Sequence, residues 1–332
     1  MNTTDKDYRY KDDEALEALF KHGSSRTRAP KEVEEEVRHV LHRQWTEQTR
    51  QRRRRKKVVN WAIAASIILA VFVVTNGSRN TLTDAQAIKL ATAEKTTGDV
   101  FVQKPGERHS KKLASAQLMA GDKLSTIEGS RIAFRWGNGE SIRLDQNSRI
   151  ELVSAAEIRL LSGKIYVDSA DAVIKEKAFR IRTSAGQVSH VGTQYMTELA
   201  GDDLFVSVRV GEVSVGNSHG ALIARKGQRL KLSTDGQRLV TNIPLYGEDW
   251  QWTEQVAPGF NMDGHSLKEL LDWVGRETGL QIEYGSAESK IAAAQTQLFG
   301  QVDLEPLRAM ELVLQTSDLT HVLKDGVILV SL

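Results

Sequence analysis

Cysteine is absent from the 332 residues. Such a chain forms no disulfide, offers no thiolate nucleophile and has no cysteine ligand for zinc. Any part of it outside the cytoplasm must be held by its own core. Catalytic signatures are absent too: there is no G-x-S-x-G, no H-E-x-x-H and no glycine-rich phosphate loop. The eight histidines are scattered. His39 and His42 stand three apart but lack a third ligand nearby, so they read as solvated helix positions. His190, beside Ser189 and followed by Gly192, belongs to no nucleophile motif. Asp202-Asp203 and Asp12-Asp13-Glu14 read as turn and helix-start acids rather than paired catalytic carboxylates. No enzyme, cofactor or metal site is expected.

Charge is missing from residues 58–78, a stretch of 21. At the rise of a helix this reaches roughly 30 Å, enough to cross a hydrocarbon core. Arg50, Arg52, Arg53, Arg54, Arg55, Lys56 and Lys57 precede it. Trp61 and Asn60 suit the interface at that basic end, and Ser66 can return its hydroxyl to the helix backbone. A signal peptide has a shorter basic region, and the Ala85-Gln86-Ala87 triplet lies well past the apolar run. A soluble core helix would rarely carry seven bases at one end. The expectation is a single transmembrane helix in the inner (cytoplasmic) membrane. The positive-inside rule then places the N-terminus in the cytoplasm and the C-terminus in the periplasm.

Charge divides along the same line. Residues 1–57 hold 16 Lys/Arg and 11 Asp/Glu, a net of +5, whereas residues 58–332 hold 29 and 32, a net of −3. Bases that abut a bilayer are explained by orientation and by anionic lipid, so direct nucleic-acid binding is not expected.

Residues 1–57 contain two short helical patterns. Leu16, Leu19 and Phe20 follow i, i+3, i+4 spacing, with acids before them and Lys21 and His22 after, as the helix dipole prefers. After a break over residues 23–29, Pro30 suits a first helical position. Val33, Val37, Val40, Leu41 and Trp45 then form one stripe. Two stripes on so short a segment do not make a self-sufficient core, so the segment is expected to fold against a cytoplasmic protein.

Past the anchor, a polar stretch to about Lys95 gives way to short alternating runs. Ile132, Phe134 and Trp136 lead through Gly137-Asn138-Gly139 to Ile142 and Leu144, a strand, turn and strand. Ile158 and Leu160 lead to Ser162-Gly163 and then Ile165 and Val167. Phe179 and Ile181 alternate with Arg180 and Arg182. Val206, Val208 and Val210 share one parity and Val213 and Val215 the other, so a turn or bulge is needed at Gly211-Glu212. Turn signals at this spacing imply an all-β sandwich or a solenoid-like stack.

Residues 258–332 change character. Ser266 and Glu269 make a capping box ahead of Leu267, Leu270, Leu271 and Val274, and Gly279 closes that helix. Leu280 to Tyr284 and Gln297 to Val302 read as strands. A second helix carries Leu307, Met310 and Leu314 behind Pro306. Val322-Leu323, Asp325-Gly326 and Val327 to Val330 form a hairpin. The expectation is a small α+β unit of two helices against a short sheet.

Ordered blocks over residues 95–245 resemble the FecR-like domain. They are Gly129-Ser130-Arg131-Ile132-Ala133-Phe134, Ser148-Arg149-Ile150-Glu151-Leu152, Leu161-Ser162-Gly163-Lys164-Ile165-Tyr166-Val167, Phe179-Arg180-Ile181-Arg182-Thr183-Ser184-Ala185-Gly186, Val191-Gly192-Thr193-Gln194-Tyr195, Val206 to Val215, and Gly227-Gln228-Arg229-Leu230. Residues 258–332 resemble the short N-terminal domain of secretins and TonB-dependent receptors, a periplasmic protein–protein interaction domain. That likeness lies in Ser266 to Leu271, Thr278 to Ile282, Leu298 to Val302, Leu307 to Leu314 and the final hairpin.

The resemblance implies a multidomain transmembrane regulator: 1–57 cytoplasmic, 58–78 membrane-spanning, 95–245 β-rich and 258–332 α+β. It implies an anti-sigma role, in which residues 1–57 bind an extracytoplasmic-function sigma factor. The periplasmic portion would receive a signal from an outer-membrane receptor, often one for ferric siderophores. Leu16, Leu19, Phe20, Val33, Val37, Val40, Leu41 and Trp45 are the expected sigma-facing set. Classical members carry a longer cytoplasmic domain, so the direction of control, inhibition or assistance, stays open. Cleavage near the membrane or altered helix association are the expected switches. The alternative is an anchored periplasmic protein of envelope assembly.

Overall fold

The computed structural model describes residues 88–169, 179–190, 192–218 and 220–332. The expected membrane span at 58–78 and the cytoplasmic segment lie outside these residues. No described helix is long and apolar enough to cross a membrane. The described chain is mostly β-strand, with four helices confined to its last 85 residues.

The β-rich part runs from residue 89 to 242. Its strands are β1 (Lys89–Thr97), β2 (Val100–Gln103), β3 (Lys111–Lys112), β4 (Gln117–Met119), β5 (Lys123–Thr126) and β6 (Arg131–Trp136). Next come β7 (Ser141–Leu144), β8 (Arg149–Ser154), β9 (Glu157–Asp168), β10 (Arg180–Arg182), β11 (Gln187–His190) and β12 (Gln194–Ala200). The series ends with β13 (Asp203–Val210), β14 (Glu212–Asn217), β15 (Gly220–Arg225), β16 (Gln228–Ser233) and β17 (Arg238–Asn242). β1 begins inside the stretch that reads as polar. Leu90 and Ala91 are adjacent yet both buried, because the register against β4 shifts between Lys89 and Ala91, and this hides the alternation.

Pairing resolves the strands into two ladders. One runs β4-β1-β6-β7-β9-β12-β13-β16-β17. The other runs β3-β2-β5-β8-β9-β10-β11-β14-β15. Both contribute to one apolar core, which includes Phe134, Ile150, Ile158, Val206 and Val215. From β10 onward the chain adds two strands to one layer, then two to the other. The architecture is therefore a sandwich in its layers and a stack in its growth, which is why turn spacing alone cannot distinguish the two.

β9 belongs to both ladders. Its first half pairs with β8 and β10 and its second half with β12 and β7. Ser162-Gly163 is thus a corner within one strand and not a turn between two. Gly163 has φ 85, and a Cβ there would collide with Ser148. Gly211, with φ 81, serves the same purpose between β13 and β14, which lie in different layers. The parity change from Val208 to Val213 keeps both side chains in the shared core after the chain turns the corner.

The C-terminal part comprises α1 (Glu248–Gln255), β18 (Phe260–Asn261), α2 (Leu267–Thr278), β19 (Gln281–Tyr284), α3 (Ala287–Gln295), β20 (Gln301–Val302), α4 (Pro306–Leu314), β21 (Thr320–Lys324) and β22 (Val327–Ser331). The capping box at Ser266 and Glu269 is present with both bonds, and Gly279 ends α2 in the left-handed region. Leu267, Leu270, Leu271 and Val274 are fully buried, each worth roughly 1.5–3 kcal/mol relative to exposure. The hairpin turns through Asp325 (φ 51) and Gly326 (φ 81), as a two-residue turn with both centres left-handed requires.

Two corrections apply to this part. Within residues 258–332 three helices replace the expected two. α3 buries only Ser289 and Ala293, so its apolar stripe is too faint to read, and α1 lies ahead of the expected unit. The expected strand from Gln297 to Val302 shrinks to Gln301–Val302 plus a single bridge from Gln297 to Ser266, because Gly300 (φ 97) breaks the run.

Candidate functional site

Arg143 on β7 and Arg209 on β13 sit in strands whose alternation would send them to solvent. Both are almost wholly buried instead. The outer face of this layer is covered by α1 and by the C-terminal end of α2, so the layer is apolar-packed on both sides. α1 presents Trp250 and Trp252 to Tyr166 and Met196. Tyr166 and Trp250 meet edge to face at 6.3 Å, and Trp252 Nε1 donates to Met196 Sδ.

The two arginines join the C-terminal part to the sheet. Arg143 Nη1 donates to the Thr253 carbonyl at 2.9 Å and Nη2 to Glu277 Oε2 at 2.6 Å. Its Cζ stands 5.1 Å from the Tyr166 ring. Arg209 Nε donates to the Leu245 carbonyl and Nη1 to the Glu277 carbonyl, each at 2.8 Å. Its guanidinium also stacks over Trp250 at 4.4 Å. Beside them, Arg276 Nε and Gln194 Nε2 both donate to Asp168 Oδ2 at 2.8 Å. Each strand–helix contact thus ends in a charge-assisted or carbonyl-accepted bond, which is what buried cations need.

Burial works against the charge of both arginines, but with different results. Glu277 outweighs it for Arg143, whose pKa is held above the ordinary value. Arg209 bonds only to carbonyls and its pKa is lowered by burial. Burial, aided by Asp168, drives the Tyr166 phenol well above its usual range. Burial also raises Glu254 on α1 to about 7, against the pull of Arg209 and with Glu305 adding to the rise.

A second buried cluster lies within the β-rich part. His190 Nδ1 meets Tyr195 Oη at 2.9 Å and Nε2 meets Glu140 Oε1 at 3.1 Å. The His190 ring packs against Phe179, which in turn meets Trp136 edge to face. Its partners are 50 and 5 residues away in sequence, so no local motif reveals it. Among the described residues, no group of three or more His, Asp or Glu side chains is placed to hold a metal ion.

The expected sigma-facing residues Leu16, Leu19, Phe20, Val33, Val37, Val40, Leu41 and Trp45 all lie outside the described residues, as do His39 and His42. The junction residues Arg143, Tyr166, Asp168, Arg209, Trp250 and Glu277 were not singled out from sequence. The available signal was weak: two tryptophans, Trp250 and Trp252, in a stretch between two regular regions.

Two crystal structures of a candidate anti-sigma factor from Parabacteroides distasonis ATCC 8503 resemble this chain at 14% identity, with TM-scores of 0.33 and 0.34. Each comparison covers 63% of this chain and 97% of the other. None of the curated proteins matches. The family model described as FecR protein matches residues 122–214, from the edge of β5 into β14. That match falls across the middle of the two-layered β structure.

Proposed function

We propose that this protein is an anti-sigma regulator that spans the inner membrane once through residues 58–78. Residues 1–57 bind an extracytoplasmic-function sigma factor through Leu16, Leu19, Phe20, Val33, Val37, Val40, Leu41 and Trp45. The β-rich and C-terminal parts stand in the periplasm and receive the signal. The observation that carries the reading is the FecR protein match over residues 122–214. The seven bases ahead of 21 uncharged residues support the orientation.

Residues 258–332 are proposed as the receiving module, of the kind found at the start of secretins and TonB-dependent receptors, with an outer-membrane receptor as partner. The Arg143–Glu277 and Arg209–Glu277 bonds support a relay in which force on the C-terminal part reaches the FecR domain directly. A single membrane helix transmits little shape, so regulated cleavage near the membrane, or altered helix association, completes the relay.

The test has two arms. Residues 1–57 as bait should capture a small sigma factor from the source cell, and replacing Leu41 and Trp45 with Asp should abolish capture. Deleting residues 1–57 from the chromosomal copy should change transcription from that sigma factor's promoters. Failure of both arms refutes the reading and favours an anchored protein of envelope assembly.

A further inference from the structure

A cleft of about 590 Å³ opens where the connecting segment between β17 and α1 (residues 243–247), the tip of the C-terminal hairpin and the Gly192-Thr193 corner meet. That size falls within the usual range for small-ligand sites, roughly 300–1,000 Å³. Its wall carries three cations, Arg209, Lys226 and Arg276, and one acid, Asp325. Asp168 behind the wall already takes Arg276 at 2.8 Å. Glu254 and Glu277 act on Arg209 from behind, whereas Lys226 makes no ion pair among the described residues. Leu245, Leu280 and Val327 supply an apolar side.

Two buried polar atoms of this wall lack any hydrogen-bond partner. They are Thr193 Oγ1 and Arg209 Nη2, on residues 2% and 1% exposed. Buried donors without partners are rare, and each asks for an explanation. Here two of them fall on one cleft whose wall also carries Lys226. Asp325 on the wall, with Glu254 and Glu277 behind Arg209, disfavours a second negative charge, whereas a neutral ligand would leave Lys226 without a counter-charge.

We propose that this cleft binds a small organic carboxylate. One carboxylate oxygen accepts from Thr193 Oγ1 and from the Arg209 guanidinium, Lys226 faces the other, and the hydrocarbon body packs on Leu245, Leu280 and Val327. The bound anion would bridge the connecting segment, the FecR domain and the C-terminal hairpin. The site stands apart from sigma-factor binding, and its test does not depend on that reading.

Isothermal titration of the full-length protein with phenylacetate should give saturable one-to-one binding. The neutral 2-phenylethanol and the dianionic phenyl phosphate should each bind at least about tenfold more weakly. Lys226→Gln, an exposed change, should weaken phenylacetate by about tenfold, the loss of one charge-assisted contact. Asp325→Asn should tighten it, since asparagine tolerates the left-handed turn while removing the competing acid. Thr193→Val should weaken it at nearly constant side-chain volume. Absence of saturation with phenylacetate at about 10 mM, equal binding of 2-phenylethanol, tighter binding of phenyl phosphate, or indifference to Lys226→Gln would each overturn the proposal.

Discussion

Arg143 Nη2 and Glu277 Oε2 lie 2.6 Å apart, with side chains 0% and 7% exposed and a separation of 134 positions in sequence. The pair ties the middle of a sheet to the end of a helix from another part of the chain. Around it, Thr253, Tyr166 and Trp250 exclude water. Separation in sequence and closeness in space make it the contact most exposed to test.

Replacing Glu277 with Ala should destabilise the protein by about 3–5 kcal/mol, because it strands the Arg143 guanidinium in a dry site. The double change Arg143→Met with Glu277→Leu should recover most of that loss, since an apolar pair of similar volume avoids desolvating two charges. Urea unfolding of the unaltered protein and the two variants checks both statements. A double variant no more stable than Glu277→Ala would show that the two residues are not energetically coupled.

Glu254 gives a pH dependence with a definite sign. Burial raises its folded pKa to about 7, above the ordinary 4.5. The folded state thus favours the neutral acid. Its contribution is fully present below the unfolded pKa and is lost as pH rises through the folded one. Between pH 4.5 and 7 the unfolded chain ionises first, so stability should fall across that window and level off above it. Glu254→Gln, which stays neutral, should show a smaller fall. Melting temperatures of the two proteins across the window decide it; identical slopes would remove Glu254 as the cause.

Much of the β architecture was legible because its signal is local. Alternation gave the strands around Gly137-Asn138-Gly139, and the parity break at Gly211 marked a change of direction. The identity of that change was not legible: a corner between layers and a turn within one leave the same pattern of valines. At the junction, Arg143 and Arg209 looked like solvent-facing positions, because alternation assumes one wet face. α1 and α2 remove that face, and nothing near residues 143 or 209 announces helices that arrive more than 35 residues later. In the C-terminal part, the capping box at Ser266 could be read from four residues, whereas α3 buries too little to show a stripe.

The cap at α2 offers a contained test. Ser266 Oγ accepts from Glu269 N at 3.3 Å, and Glu269 Oε2 accepts from Ser266 N at 2.7 Å. Ser266→Ala should cost about 0.5–2 kcal/mol, and Glu269→Gln should cost less because the amide oxygen can still accept. Chemical denaturation measures both. Because the cap stands at the far end of α2 from Glu277, its loss should add to that of Glu277→Ala within about 0.5 kcal/mol.

Trp250 carries the last prediction. It is fully buried, donates Nε1 to the Pro244 carbonyl at 3.0 Å, meets Tyr166 edge to face and floors the Arg209 guanidinium. Trp250→Ala should remove about 3–5 kcal/mol. The loss should concentrate at the junction, since the two large cores on either side do not include this residue. Limited proteolysis should therefore cut the segment over residues 243–247 faster in the variant, while the β-rich part keeps its protection. Trp250→Phe preserves the ring against Tyr166 but gives up the Pro244 bond, so its cost should be smaller and its cleavage intermediate. Equal acceleration of cleavage throughout the chain in Trp250→Ala would mean that the residue supports the fold as a whole rather than the seam between its parts.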